Sequence, residues 1–173
     1  MSNVLDIKPL FEKKIYDIIN HQIKKVIKPN MILHKVTDLD LEVAKKLKSK
    51  YGIGGIILDV DETIRKNMMD IPNCNKKWID FMRQEFKVVI LTNGFDEKVK
   101  SFSCSRGIEY MSFARKPFKK NLLFACDKMG LNPENVLLIG DDIFADIYGG
   151  NKCGIITAIV NSVVEDKEKY NEK

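Results

Sequence analysis

Short apolar runs alternate along this chain with longer stretches of helical periodicity. Over 8–28, Phe11, Ile15, Ile18, Ile19, Ile23, Val26 and Ile27 recur at roughly helical spacing among Lys13, Lys14, Lys24, Lys25 and Lys28, which predicts a basic amphipathic helix. Pro29-Asn30 ends it. Thr37 is the expected N-cap of a second helix, with Asp40 three residues on and Leu41, Ala44 and Leu47 as its apolar face. From Gly52 the pattern changes. Gly-Ile-Gly-Gly-Ile-Ile-Leu-Asp is a short run closed by an acid, the signature of a strand buried on both faces. A helix over 75–86 follows, built around Trp78, Phe81 and Met82, then a second buried strand over 87–92. The pattern next predicts a helix over 96–105, a short strand over 108–113, and a helix opened by Pro117 and closed by Gly130. A third buried strand over 135–140, a helix over 142–152 and a last strand over 154–160 complete the series, and the tail after Val164 is charged.

Strands alternating with helices imply an α/β domain, doubly wound around a mainly parallel sheet. Such sheets bind ligands beyond the carboxyl ends of their strands, where strand order reverses. The expected organisation is an N-terminal helical extension over 1–50, the α/β core over 51–164 and a charged tail over 165–173.

Composition narrows the picture. The chain has 173 residues, enough for one domain with a sizeable core. Its apolar runs, such as Val136-Leu137-Leu138-Ile139, are far too short to span a bilayer, and its first ten residues lack the pattern of a signal peptide. A cytoplasmic location is the default expectation. Cys74, Cys104, Cys126 and Cys153 form no CxxC pair, so reduced thiols are expected and not a zinc site. Charge is uneven: residues 1–50 hold 11 Lys against 6 acids, and the remaining chain balances 18 basic against 18 acidic residues. That excess suits an acidic partner such as a membrane surface or nucleic acid.

Three strand ends carry polar groups of one kind. They are Asp59-Val60-Asp61-Glu62-Thr63, then Thr92-Asn93-Gly94, then Gly140-Asp141-Asp142 with Asp146 beyond; Arg115-Lys116-Pro117 lies between the last two. Carboxylates converging on one point repel unless a cation sits among them, and hard oxygen-rich sites suit Mg²⁺. A carboxylate can attack phosphorus and split one hard step into two. The charge on the transferred group then calls for a metal, a lysine and hydroxyl or amide donors.

In this order the motifs resemble those of the haloacid dehalogenase (HAD) superfamily of phosphatases, across roughly residues 53–160: DxDxT from Asp59, Thr92 as the second motif, Lys116 as the third and the acidic run from Gly140 to Asp146 as the fourth. The resemblance implies a Rossmann-like core. It implies Asp59 as nucleophile and metal ligand, and Asp61 as general acid and then base, its backbone carbonyl on Mg²⁺. It implies Thr92 and the Asn93 amide as phosphoryl-binding groups, Lys116 as the neutralising cation, and Asp141 with Asp146 as further metal-site acids. The segment from Ile53 to Asp59, Arg115-Lys116-Pro117 and the run from Gly149 to Gly154 are similar to the YqeG family, type IIIA phosphatases related to phosphatidylglycerophosphate phosphatases, and residues 29–52 look like that family's lead-in. Glu62 stands where relatives usually carry Asn.

Only about 30 residues separate Asp59 from Thr92, and fewer separate Thr92 from Lys116, so neither gap holds a cap domain and the site is expected to be open. Open sites suit bulky substrates. The expected substrate is a phosphatidylglycerophosphate-like lipid, with soluble metabolites or nucleotides as the alternative and a binding or assembly factor with a vestigial site as the third. No nucleic-acid partner is expected, and the oligomeric state is not legible. Packing against the domain or a second subunit is the preferred reading of the 8–28 helix over contact with an anionic membrane. Asp142 and Glu62 are expected to be capping or solvated acids.

Overall fold

The computed structural model describes residues 28–163. Apart from Lys28, the basic helix expected over 8–28 lies outside the described residues, as does the charged tail. Six strands form one sheet: β1 (Met31–Leu33), β2 (Gly55–Leu58), β3 (Lys87–Leu91), β4 (Glu109–Met111), β5 (Val136–Gly140) and β6 (Ile156–Val160). Their spatial order is β1-β6-β5-β2-β3-β4, and every pair is parallel. All residues of β2 and β5 are buried, which is why both read as unbroken apolar runs.

Helices α1 (Leu41–Tyr51), α2 (Asn73–Glu85), α3 (Glu97–Cys104), α4 (Lys119–Met129) and α5 (Gly149–Cys153) connect the strands. Alternate strand residues feed two apolar layers. Ile56, Leu58, Leu137 and Ile139 join Leu47, Trp78, Ile79 and Met82 on one face, and Ile57, Val89 and Leu138 join Leu122, Ala125 and Met129 on the other. The doubly wound expectation holds. β2 has β3 on one side and β5 on the other, so the chain reverses its direction of travel across the sheet beside β2. No inserted domain interrupts the chain between β2 and α2 or between β3 and α4.

Several boundaries differ from expectation. Asp40, not Thr37, caps α1: its carboxylate accepts from the Val43 amide at 2.9 Å, because it stands immediately before the first helical residue. Thr37 lies instead in a 3₁₀ turn over Val36–Asp38. Pro117 follows a cis peptide bond, and α4 starts two residues later at Lys119. The helix expected over 142–152 is a π-helical turn, Ile143–Tyr148, running into α5. The sequence pattern gave no sign of β1, which pairs with β6. The stretch set apart as an extension therefore contributes a sheet strand, and α1 buries Ala44 and Leu47 in the core. Among the described residues no helix is long and apolar enough to cross a membrane.

Candidate active site

The site forms where β2, β3 and β5 end side by side. Asp59 follows β2, and its amide donates to the Ile139 carbonyl of β5 at 3.0 Å, so sheet hydrogen bonding fixes its backbone. Its side chain is only 11% exposed. Oδ1 accepts from Lys116 Nζ at 2.6 Å, and Oδ2 lies 3.3 Å from the Thr63 hydroxyl. The amides of Thr63, Ile64 and Arg65 all donate to the Val60 carbonyl, a tight turn that folds Thr63 back over the strand end. Thr63 Oγ1 is also 3.3 Å from Asp141 Oδ1, so its single proton serves one acid at a time.

Thr92 is buried at the end of β3. Its Oγ1 accepts from the Gly94 amide at 3.2 Å, which leaves its own proton to be directed elsewhere. The Asn93 side chain brackets the backbone of Lys116, accepting from its amide at 2.7 Å and donating to its carbonyl at 3.1 Å. This second role of Asn93 was not legible in the sequence. Lys116 is thereby aimed inward, where Nζ reaches Asp146 Oδ1 at 2.5 Å as well as Asp59. Asp146 is fully buried. The π turn returns it to the strand end, with Asp142 capping that turn through the Phe144 and Ala145 amides. Gly140 makes the approach possible, because a side chain there would collide with the Asp146 carboxylate.

Carboxylate oxygens of Asp59, Asp141 and Asp146 lie within 4.8 Å of one another. Two of these acids, Asp59 and Asp146, share one buried ammonium, and Asp141 has no ion pair with it. Burial works against the charge on Lys116, but Asp146 and Asp59 outweigh it and hold the ammonium above its ordinary range. Burial pushes the Asp146 carboxyl up to about 7, assisted by the negative charge of Asp59 and opposed by Lys116. Burial and Asp59 also raise Asp141. The cluster is short of positive charge, and its donors are all hard oxygens, the set that suits Mg²⁺.

Asp61 lines the same cleft, although its carboxylate stands apart from that cluster. Its Oδ1 accepts from Arg65 Nε at 2.9 Å and from the Met68 amide at 3.2 Å. Arg65, which the sequence reading did not single out, is 3% exposed. Its Nη1 also donates to Asp96 Oδ2 at 2.9 Å and to the Met69 carbonyl at 3.2 Å. Burial works against the guanidinium's charge, and Asp96 and Asp61 outweigh it. The available signal was a basic residue four positions after Asp61. Glu62 has a left-handed backbone, φ 57°, a conformation that Asn adopts more readily, and its carboxylate accepts from the Asn67 amide. Glu62 and Asp142 are thus turn-capping acids, as expected.

The cleft holds about 300 Å³ and is open to solvent. Its surrounding loops present Met68, Met69, Phe95, Phe113, Phe118, Ile143 and Phe144, all more than half exposed. Phe95 and Phe113 stack with centroids 6.1 Å apart, joining the loops after β3 and β4.

Comparison with known proteins follows the same lines. A family model described as "HAD-hyrolase-like" matches residues 113–173. The chain is similar to "Probable phosphatase YqeG" of Bacillus subtilis (strain 168), 33% identical over 142 residues, which cover 80% of this chain and 79% of that one. A HAD-superfamily hydrolase of subfamily IA from Geobacter sulfurreducens superposes with a TM-score of 0.53 at 14% identity, over 65% of this chain and 92% of that one. The 3-deoxy-D-manno-octulosonate 8-phosphate phosphatase of Moraxella catarrhalis, in complex with magnesium, phosphate and KDO, superposes with a TM-score of 0.51 at 16% identity, over 70% and 74% of the two chains. At these identities the structural likeness is one of fold.

Proposed function

Since the chain belongs to the HAD superfamily and, within it, to the YqeG family of phosphatases, we propose that this phosphatase is magnesium-dependent and works through an aspartyl-phosphate on Asp59. The observation that carries this reading is the buried Asp59 carboxylate at the end of β2, bonded to Lys116 and clustered with Asp141 and Asp146. Asp59, Asp141 and Asp146, with the Asp61 carbonyl, would hold Mg²⁺, which would neutralise the phosphoryl group and the acids around it. A fold neighbour crystallised with magnesium and phosphate supports the choice of ion.

The chain's own residues do the rest. Lys116 holds Asp59 in place and offsets its repulsion from an incoming phosphate. The free proton of Thr92 and the amide of Asn93 face the phosphoryl oxygens. Asp59 attacks phosphorus while Asp61 gives a proton to the departing oxygen. Asp61, now a carboxylate, then takes a proton from the water that attacks phosphorus, and inorganic phosphate leaves with Asp59 restored.

The open mouth and its apolar rim support a bulky amphiphilic substrate, a phosphatidylglycerophosphate-like lipid head group before a soluble metabolite or nucleotide. A vestigial binding site has no residue in its favour, since every acid and the lysine are present. The test is hydrolysis of an aryl phosphate. Activity should vanish with a chelator and return with magnesium, and Asp59→Asn should fold normally and abolish turnover. Metal-independent turnover, or an active Asp59→Asn protein, would contradict the reading.

A further inference from the structure

We propose that Arg65 is a positioning residue for Asp61: it pins one carboxylate oxygen so that proton transfer falls to the other. The inference rests on the reading of Asp61 as acid and base. Arg65 joins two loops that no inserted domain covers. On one side its Nε holds Asp61 Oδ1 at 2.9 Å, and the Met68 amide holds the same oxygen at 3.2 Å. On the other side its Nη1 is held by Asp96 Oδ2 at 2.9 Å and by the Met69 carbonyl at 3.2 Å.

The anchor is itself fixed. Asp96 caps α3 through the Lys98 and Val99 amides, and its own amide donates to the Tyr110 hydroxyl at 2.9 Å. A planar guanidinium held at both ends has little freedom to rotate. Two donors on Oδ1 then set the plane of the Asp61 carboxylate, and neither of them touches Oδ2. An acid-base group contributes only when its oxygen lies within hydrogen-bond reach of the proton it moves. Arg65 therefore acts on the reaction through Asp61 and does not touch the substrate.

A plain staple of the loop would fit the same contacts, so the test must read proton transfer itself. The quantity is kcat/KM for a series of substituted phenyl phosphates, from 4-nitrophenyl, whose leaving group departs without a proton, to phenyl, whose leaving group needs one. Asp61→Asn should cost phenyl phosphate about a hundredfold more than it costs 4-nitrophenyl phosphate, which steepens the dependence on leaving-group pKa. Arg65→Gln should steepen it in the same sense, with a loss of about tenfold on phenyl phosphate, and Arg65→Lys should fall between Arg65→Gln and the unaltered protein. Asp96→Asn keeps a good helix cap but removes the charge that anchors Arg65, and should also steepen it. Combining Arg65→Gln with Asp61→Asn should be no worse than Asp61→Asn alone. If Arg65→Gln does not fold, Arg65→Lys and Asp96→Asn carry the same criterion. Equal losses across the series in these variants, alongside a steepened Asp61→Asn, would overturn the role of Arg65. An unchanged slope in Asp61→Asn would instead remove the acid-base reading, and the proposal with it.

Discussion

Burial without enough positive charge is the defining condition of the residues at this site. Asp141 and Asp146 are raised by burial and by Asp59, and Lys116 offsets only the charges of Asp59 and Asp146. The sign for stability follows. Between the ordinary carboxylate range near 4 and the Asp146 value of about 7, the folded protein binds more protons than the unfolded chain, so these acids lower metal-free stability as pH rises. A divalent cation needs the ionised acids and reverses the cost. Magnesium should therefore raise the melting temperature more at pH 8 than at pH 5 in a calorimetric scan. Equal shifts at both values would mean that the raised acids are not the binding groups. The acids and the lysine themselves were legible, because each stands at the close of an apolar run or beside a motif-bearing turn. Arg65 and the bracketing role of Asn93 were not. Both depend on which loops the sheet brings together, a long-range fact that local spacing does not carry.

Elements were legible in proportion to their burial. β2 and β5 are covered on both faces, so they read as unbroken apolar runs. β1 escaped notice because it is an edge strand of only three residues: Met31-Ile32-Leu33 is an apolar run too short to mark a strand, and its central Ile32 faces solvent. The helix after Asp142 was placed correctly, but its first turns are π-helical. Gly140 could not be interpreted from the sequence for a related reason: its missing side chain matters only because Asp146 returns against it. Asp40 displaced Thr37 as the cap of α1 although both are good capping types, since the choice between them depends on where the preceding 3₁₀ turn stops.

For the whole molecule, seven of the twelve exposed large apolar residues among the described residues belong to segments around the site. Those at the site mouth come from loops after β2, β3, β4 and β5, which a parallel sheet gathers at one edge. Phe118→Ser with Phe144→Ser should leave aryl phosphate hydrolysis unchanged and lower activity on anionic vesicles that carry a phosphomonoester lipid, with little dependence on salt. Deleting residues 1–28 should also spare the small substrate if that basic segment serves only membrane contact, and raising the salt should mimic the deletion, because surface attraction is screened. Loss of all activity on deletion would make the segment a packing or subunit contact instead. The central claim, that phosphate passes through Asp59, is tested most directly by trapping it. The Asp61→Asn protein, slowed in the water step, is mixed with an aryl phosphate and magnesium, quenched in acid, reduced with borohydride and mapped by mass spectrometry. The account predicts reduction of position 59 from aspartate to homoserine, dependent on substrate and magnesium. A phosphoryl group trapped on any other residue would contradict it.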